Sequence, residues 1–343
     1  MKNQSDYPTL LSVMDDFIKS FRKKHTRSTY QIAIDYFAAF LNQEGIELTA
    51  PPQEISEDLM RGFIKYLDQI PGYRGKTELS QTSKEIYVTG IRSLMNHLIY
   101  LEVGDNINAT RLSQIIKKEG PKRPKRGQIK VDIHAIHLIE KYAQDMHLKS
   151  VKKERFPDLK RLQNYRDRAL VISLISTGAR IAEELLPLDR GSIMWESRIA
   201  IVLGKGDVEG ELLFTDSAIE AIEDYLRMRS SLDQASGQPL ASLPLFARHD
   251  IKCRNKVLRL GYSSAYRALQ ELAEEALREY GPVKFNPHMF RHFFVTNIIQ
   301  STGGDIDMAR TLARHSSTSV TSRYMHTAMG DKRAIHDEAF GKK

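Results

Sequence analysis

Cysteine is almost absent from this sequence: Cys253 is the one residue of its type among 343. An internal disulfide framework and a cysteine-rich zinc site are thereby excluded, and the chain fits a reducing compartment. Long apolar runs are missing as well; none approaches the roughly 18–20 residues that cross a bilayer. No apolar core follows Met1-Lys2-Asn3-Gln4-Ser5-Asp6, which argues against secretion. Acidic residues fall short of basic ones, 43 against 51, which leaves a net charge of +8 and a pI of about 9.3. That excess favours a polyanionic partner, because neutralised phosphates release condensed counterions. Composition by itself leaves DNA, RNA and an anionic membrane open. What is present, 41% hydrophobic and 27% charged residues, suits a globular chain with a sizeable core, and the length suggests two domains.

Residues up to about 115 read as helices. Leu10, Leu11, Met14, Phe17, Ile18 and Phe21 recur at helical spacing and mark one apolar face. Ile34, Phe37, Phe40 and Leu41 form a second stripe. Leu59, Phe63, Ile64 and Leu67 form a third, opened by Ser56 as N-cap and closed by Pro71-Gly72. A fourth helix is expected from about Gln81, with Ile86, Ile91, Leu94, Met95 and Leu98 inward. This bundle holds no paired carboxylates, no glycine-rich phosphate loop and no metal-ligand spacing. Its basic residues, Arg22 and Arg27 among them, suit a solvated face as well as a phosphate-contacting one.

From Lys117 to Gly127 the chain turns rich in proline, glycine and positive charge, the composition of an interdomain linker. The expected division is a helical domain over 1–118, a basic linker over 119–130 and a second domain over 131–343. Lys122, Arg123, Lys125 and Arg126 are candidate DNA contacts, since a basic tether suits a protein that closes around a duplex. Val131 to Tyr142 reads as helix; its His134 and His137 lack a third ligand at a supporting spacing and read as surface histidines. A basic stretch over 152–168 runs into the apolar helix Ala169 to Ile175, and 218–279 reads as further helix.

Three places then carry chemistry. Gly178 breaks the buried helix and sets Arg180 at the start of a new one, where a rigid guanidinium can hold two phosphate oxygens or pair with Glu183 or Glu184. A β-hairpin follows, with strands over 198–203 and 211–214 and with Lys205 between two glycines beside the turn. Asn286 and Pro287 open a helix on which His288 and Arg291 share a face within the first turn, where free N–H groups also favour an anion. Ser301 to Asp305 breaks the chain, a helix leads to His315, and Ser316 or Ser317 caps a last short helix that presents Tyr324.

In this order, Thr177-Gly178-Ala179-Arg180, Gly204-Lys205-Gly206, His288-Met289-Phe290-Arg291-His292 and His315 followed by Tyr324-Met325-His326 resemble the motifs of the tyrosine recombinases, the phage integrase and Xer/Cre superfamily. The resemblance covers roughly 131–343; the N-terminal helices are similar to the family's SAM-like core-binding domain in position and helix pattern. It implies a mainly α fold with a small antiparallel β-sheet in the catalytic domain. It also implies a site-specific recombinase that cuts and rejoins double-stranded DNA through a 3′-phosphotyrosine, without metal, ATP or other cofactor. Arg180 and Arg291 would clamp the scissile phosphate, His315 would add a hydrogen bond, and His288 would serve as acid–base group. Lys205 would protonate the departing 5′-oxygen and Tyr324 would attack phosphorus. Four copies would hold two duplexes, with a tail helix over 334–340 packing on a neighbouring subunit. A Xer-like or Cre-like architecture without an arm-binding domain is expected, in the cytoplasm and associated with the nucleoid when bound to DNA.

Two departures from the family pattern stand out. Ala313-Arg314 replaces the usual Leu-Gly before His315, and the supporting carboxylate falls on Glu183 by spacing, with Glu184 the alternative. The rival readings are a catalytically silent DNA-binding protein of the same fold and a type IB topoisomerase; a metal hydrolase using the eleven histidines is the weakest of them.

Overall fold

Apolar residues at helical spacing close on one another in the N-terminal unit through α1 (Leu10–Ser20), α2 (Lys24–Gln43), α3 (Asp58–Gln69), α4 (Gln81–Tyr100) and α5 (Ala109–Glu119). The structure, a computed structural model, describes residues 9–22, 24–72, 77–122, 131–203, 209–253, 256–281, 283 and 285–325. Arg123, Lys125, Arg126, Lys205, His326 and the segment 334–340 lie outside the described residues. The chain divides into two compact units, Met1–Arg126 and Gly127–Lys343.

In the first unit the expected stripes are buried, with shifts at the ends. α1 turns Leu10, Val13, Met14, Phe17 and Ile18 inward, whereas Leu11 is 50% exposed. Ser56 does not cap α3, which starts at Asp58; the buried Glu57 instead accepts the backbone N–H of Asn108 at 3.0 Å. That bond ties α3 to α5, a helix the sequence reading left out, whose Leu112 and Ile115 complete the core. Lys117 and Lys118 occupy the last turn of α5, so helix continues to the residue where the linker was expected to begin. Lys122 is exposed just beyond it.

The second unit is built on α7 (Pro157–Thr177), which follows α6 (Ile133–Asp145) and is buried on every side from Ala169 to Leu174. Two of the basic residues ahead of that run are interior ion pairs: Arg166 bonds Asp167 at 2.7 Å and Arg168 bonds Asp224 at 2.8 Å. An antiparallel sheet of β1 (Ile193–Met194), β2 (Ile199–Leu203) and β3 (Glu209–Leu213) follows, with Ala200 opposite Leu212 and Val202 opposite Gly210. Ala200, Val202 and Leu212 face the core, as period-two alternation dictates.

After α8 (Asp216–Met228) and the short α9 (Ser230–Ala235), the expected continuous helix does not form. The described residues of 236–253 and 256–261 run as short turns and two isolated bridges, Asp189 to Pro244 and Ala247 to Arg259. A buried polar knot holds this stretch. Arg229 donates to the Leu245 and Pro244 carbonyls and to the Tyr225 hydroxyl, and its side chain pairs with Asp233 at 3.1 Å. Tyr225 in turn meets Nε2 of His249 at 2.8 Å. Interior charges bonded in this way rigidify a fold and are costly to interrupt. The helices α10 (Tyr262–Ala276), α11 (His288–Ser301), α12 (Ile306–Leu312) and α13 (Thr318–Thr321) complete the unit, and a single 3-10 turn, Ser322–Tyr324, ends the described chain near its limit.

Candidate active site

Gly178 ends α7 in the left-handed region, φ 57°, and a Cβ there would lie 2.4 Å from the Phe294 ring on α11. Glycine is therefore required twice over, by backbone and by space. The chain then winds as a π turn over Ile181–Leu185, with the Leu185 N–H donating to the Arg180 carbonyl at 3.2 Å. This wide turn sends Glu184 inward, 1% exposed, and leaves Glu183 at the surface. The expectation that Glu183 supports the arginines is thereby corrected: the carboxylate in contact with them is Glu184.

Three guanidinium groups converge on it. Arg180 bonds Glu184 through its side chain and through its backbone N–H at 2.9 Å. Arg291, on the first turn of α11, is 1% exposed; it donates to the Gly178 carbonyl at 2.8 Å and to the Ala313 carbonyl, and lies 3.7 Å from Glu184. Arg314 reaches Glu184 at 3.1 Å and also donates to the carbonyls of Thr177, Glu211 and Leu312. Arg314 holds a positive φ of 56°, the conformation for which a glycine is the usual choice. Gly210 on β3 makes room for its stem: a Cβ at 210 would lie 2.8 Å from the Arg314 side chain.

Glu184 ionises below its ordinary value because Arg314, the Arg180 N–H, Arg291 and Arg180 together outweigh its burial, the largest single influence. Arg291 is pulled down to about 9 by burial and then by Arg180, against Glu184, and stays charged at neutral pH. One carboxylate thus faces three cations. The cluster keeps uncompensated positive charge, and an open cleft of about 660 Å³ lined by Arg180, Arg310, Arg314 and His315 leads to it.

Three imidazoles and a phenol adjoin this charge. The Tyr324 side chain is 1% exposed, and its hydroxyl lies 2.5 Å from Nδ1 of His292. His315 stacks on the Tyr324 ring at 6.3 Å and bonds Thr321 at 2.9 Å through Nδ1. His288, capped at its N–H by the Asn286 side chain at 2.9 Å, meets His292 edge-on with ring centres 4.6 Å apart. Burial first, then Arg291 and Arg180 for His315 and then His288 and Arg323 for His292, hold them at about 3 and about 4, so both are neutral at physiological pH. His288 is lowered as well, by packing and then by Arg291 and Arg180, although its surface is partly open to solvent. Burial raises Tyr324 above the ordinary phenol, so its hydroxyl keeps its proton while it shares a hydrogen bond with Nδ1 of His292.

The structure brings together Arg180, His288, Arg291, His315 and Tyr324, all from motifs singled out in the sequence. Lys205 falls between the ends of β2 and β3, outside the described residues. His292 and Arg314 are the neighbours whose contacts sequence reasoning missed; Glu184 stood there as the alternative to Glu183. A signal for His292 existed: it lies four residues after His288 and so on the same helical face. Among the described residues no three His, Cys, Asp or Glu side chains are grouped to hold a metal ion, and no helix is long and apolar enough to cross a membrane.

Comparison with known proteins agrees with this architecture. The phage integrase family matches residues 148–330, and the phage integrase SAM-like domain matches residues 9–104. The chain is 27% identical over 325 residues to tyrosine recombinase XerC of Pelobacter propionicus, covering 93% of this chain and 90% of that one. It is 34% identical over 160 residues to tyrosine recombinase XerD of Mycobacterium leprae, covering 46% and 47%. Among solved structures, XerH site-specific recombinase bound to a palindromic difH substrate shares its fold with a TM-score of 0.63 at 17% identity, over 97% of this chain and 96% of that one. A lambda integrase dimer bound to a core site gives 0.54 at 14% identity, over 94% and 97%. The two family models fall one on each unit, and the chain belongs to the phage integrase family.

Proposed function

We propose that this protein is a site-specific DNA recombinase that breaks and rejoins strands through a 3′-phosphotyrosine on Tyr324. The observation that carries this reading is the pairing of a buried, hydrogen-bonded Tyr324 hydroxyl with a cluster of three arginines and one glutamate. A site with surplus positive charge and a tyrosine nucleophile suits an anionic ester. The incoming phosphodiester supplies the missing negative charge, and the charge that builds in the transition state is stabilised further.

Arg180, the more open of the first two arginines, and Arg291 bind the non-bridging oxygens; His315 adds a hydrogen bond and Lys205 protonates the departing 5′-oxygen. One ester is exchanged for another, the energy of the broken 5′ bond being kept in the phosphotyrosine, so a partner strand's 5′-hydroxyl reverses the step without ATP. XerC, XerD and XerH, the relatives and neighbour named above, are recombinases, which favours DNA as substrate; four copies on two duplex sites are the proposed working assembly. Lys122 and the linker residues Arg123, Lys125 and Arg126 are proposed to track the backbone.

The test is recombination in chelator, without ATP, between two copies of each DNA segment flanking the gene on a supercoiled plasmid. Discrete recombinant products support the reading. Relaxation of supercoils without a preferred site favours a topoisomerase, and binding without strand cleavage favours the catalytically silent rival.

A further inference from the structure

We propose that His292, rather than His288, accepts the proton of the attacking Tyr324 hydroxyl. The proposal rests on the reading of Tyr324 as nucleophile. Its carrying observation is contact: Nδ1 of His292 lies 2.5 Å from the Tyr324 oxygen, the distance at which a base takes a proton. The neighbouring imidazoles are engaged otherwise. His315 presents Nδ1 to Thr321 at 2.9 Å and its ring face to the phenol at 18° interplanar angle, and the ring contact of His288 is with His292.

The protonation states follow from the surroundings. The step requires the tautomer that carries its proton on Nε2, in which a neutral His292 offers its Nδ1 lone pair to the phenol proton. The groups facing it are His288 and Arg291 from α11, and Arg323 and Tyr324 from the turn Ser322–Tyr324. Burial is the first cause of its low basicity, followed by His288, Arg323 and Arg291. A phosphodiester entering the site brings a negative charge among those cations and raises the basicity of His292. The base is therefore weak in the free protein and strengthened by substrate.

In the forward step the Tyr324 oxygen forms a bond to phosphorus while its O–H bond breaks, and the proton passes to Nδ1 to give an imidazolium. The bond from phosphorus to the 5′-oxygen breaks, and that oxygen leaves with a proton from Lys205. In the reverse step the imidazolium returns its proton to the tyrosine oxygen as a 5′-hydroxyl attacks the phosphotyrosine. Tyr324 is covered in the free protein, so DNA docking must open a path to its oxygen; the acceptor for its proton is already in contact with it.

The test uses the full chain and a nicked suicide duplex drawn from the DNA flanking the gene, with oxygen or sulfur at the bridging 5′ position. His292→Asn keeps an acceptor near the hydroxyl but cannot take its proton; it is expected to bind the duplex normally and to form adduct about 10²–10⁴-fold more slowly. The loss is expected with both leaving groups, because sulfur departs without an acid, and imidazole is expected to restore part of the rate to His292→Gly. Adduct formation by His292→Asn at the wild-type rate, or rescue of that variant by the sulfur leaving group, overturns the proposal alone. Adduct with wild type that persists in Tyr324→Phe, or no adduct with wild type, overturns the nucleophile reading and the proposal with it. Independently of DNA, the Nδ1 resonance of His292 in the ¹⁵N-histidine-labelled protein is expected to shift in Tyr324→Phe; an unmoved resonance also overturns the proposal.

Discussion

At the scale of single residues, the site depends on one carboxylate. Among the described residues Glu184 is the one carboxylate that pairs with Arg180, Arg291 and Arg314, so removing its charge leaves buried cations uncompensated. Glu184→Ala is expected to destabilise the protein by about 3–5 kcal/mol, and Glu183→Ala by less than about 0.5 kcal/mol, as read from urea midpoints. Equal losses would contradict the assignment. The residue types at fixed separations, Arg180, Arg291, His315 and Tyr324, were legible because each is chemically distinctive. Glu183 and Glu184 are identical and adjacent; only the π turn decides which one faces inward, and a turn of that width leaves no mark in apolar periodicity. His292 was hidden for a different reason, standing beside an arginine with an evident role.

At the scale of elements, Arg314 fastens three of them together. Its guanidinium joins the end of α7 at Thr177, strand β3 at Glu211 and the end of α12 at Leu312, and so links the hairpin that bears Lys205 to the segment that bears His315. Arg314→Ala loses these bonds and keeps the left-handed strain; a loss of about 2–3 kcal/mol is expected. Arg314→Gly loses the same bonds but relieves the strain, and should be less destabilising than Arg314→Ala by about 1 kcal/mol. Thermal denaturation of the two variants gives the order, and the reverse order would contradict the role of the positive φ. The long helices were readable from apolar spacing. The stretch 236–261 was not, although Gly237, Pro239 and Pro244 marked it as broken, because its order comes from Arg229 and Tyr225 reaching across sequence. The helix α5 escaped notice because its last turn, Lys117 to Glu119, shares the charge of the linker beyond.

At the scale of the whole molecule, acid is expected to unfold the protein early. His249, His292 and His315 fall from an ordinary 6.5 to about 3, about 4 and about 3 on folding, each chiefly through burial. Their folded values are lower, so the unfolded chain binds more protons below 6.5, and stability decreases as pH drops from there toward 4. Each fully shifted histidine contributes about 1.4 kcal/mol per pH unit in that window. Glu184 acts further down: its depressed folded value means its contribution is present above 4.5 and is lost as pH falls through that folded value. Urea midpoints that decline from pH 7 to pH 5 are expected, and midpoints that stay level across that interval would contradict the burial of these neutral imidazoles.

The measurement that tests the central claim most directly is mass spectrometry of the peptide left on DNA after a suicide duplex is cleaved and the trapped complex is digested. The expected result is a 3′-phosphoryl link to the peptide that contains Tyr324, with no adduct from Tyr324→Phe. A link mapped to any other residue, or an adduct that survives in Tyr324→Phe, would contradict the account.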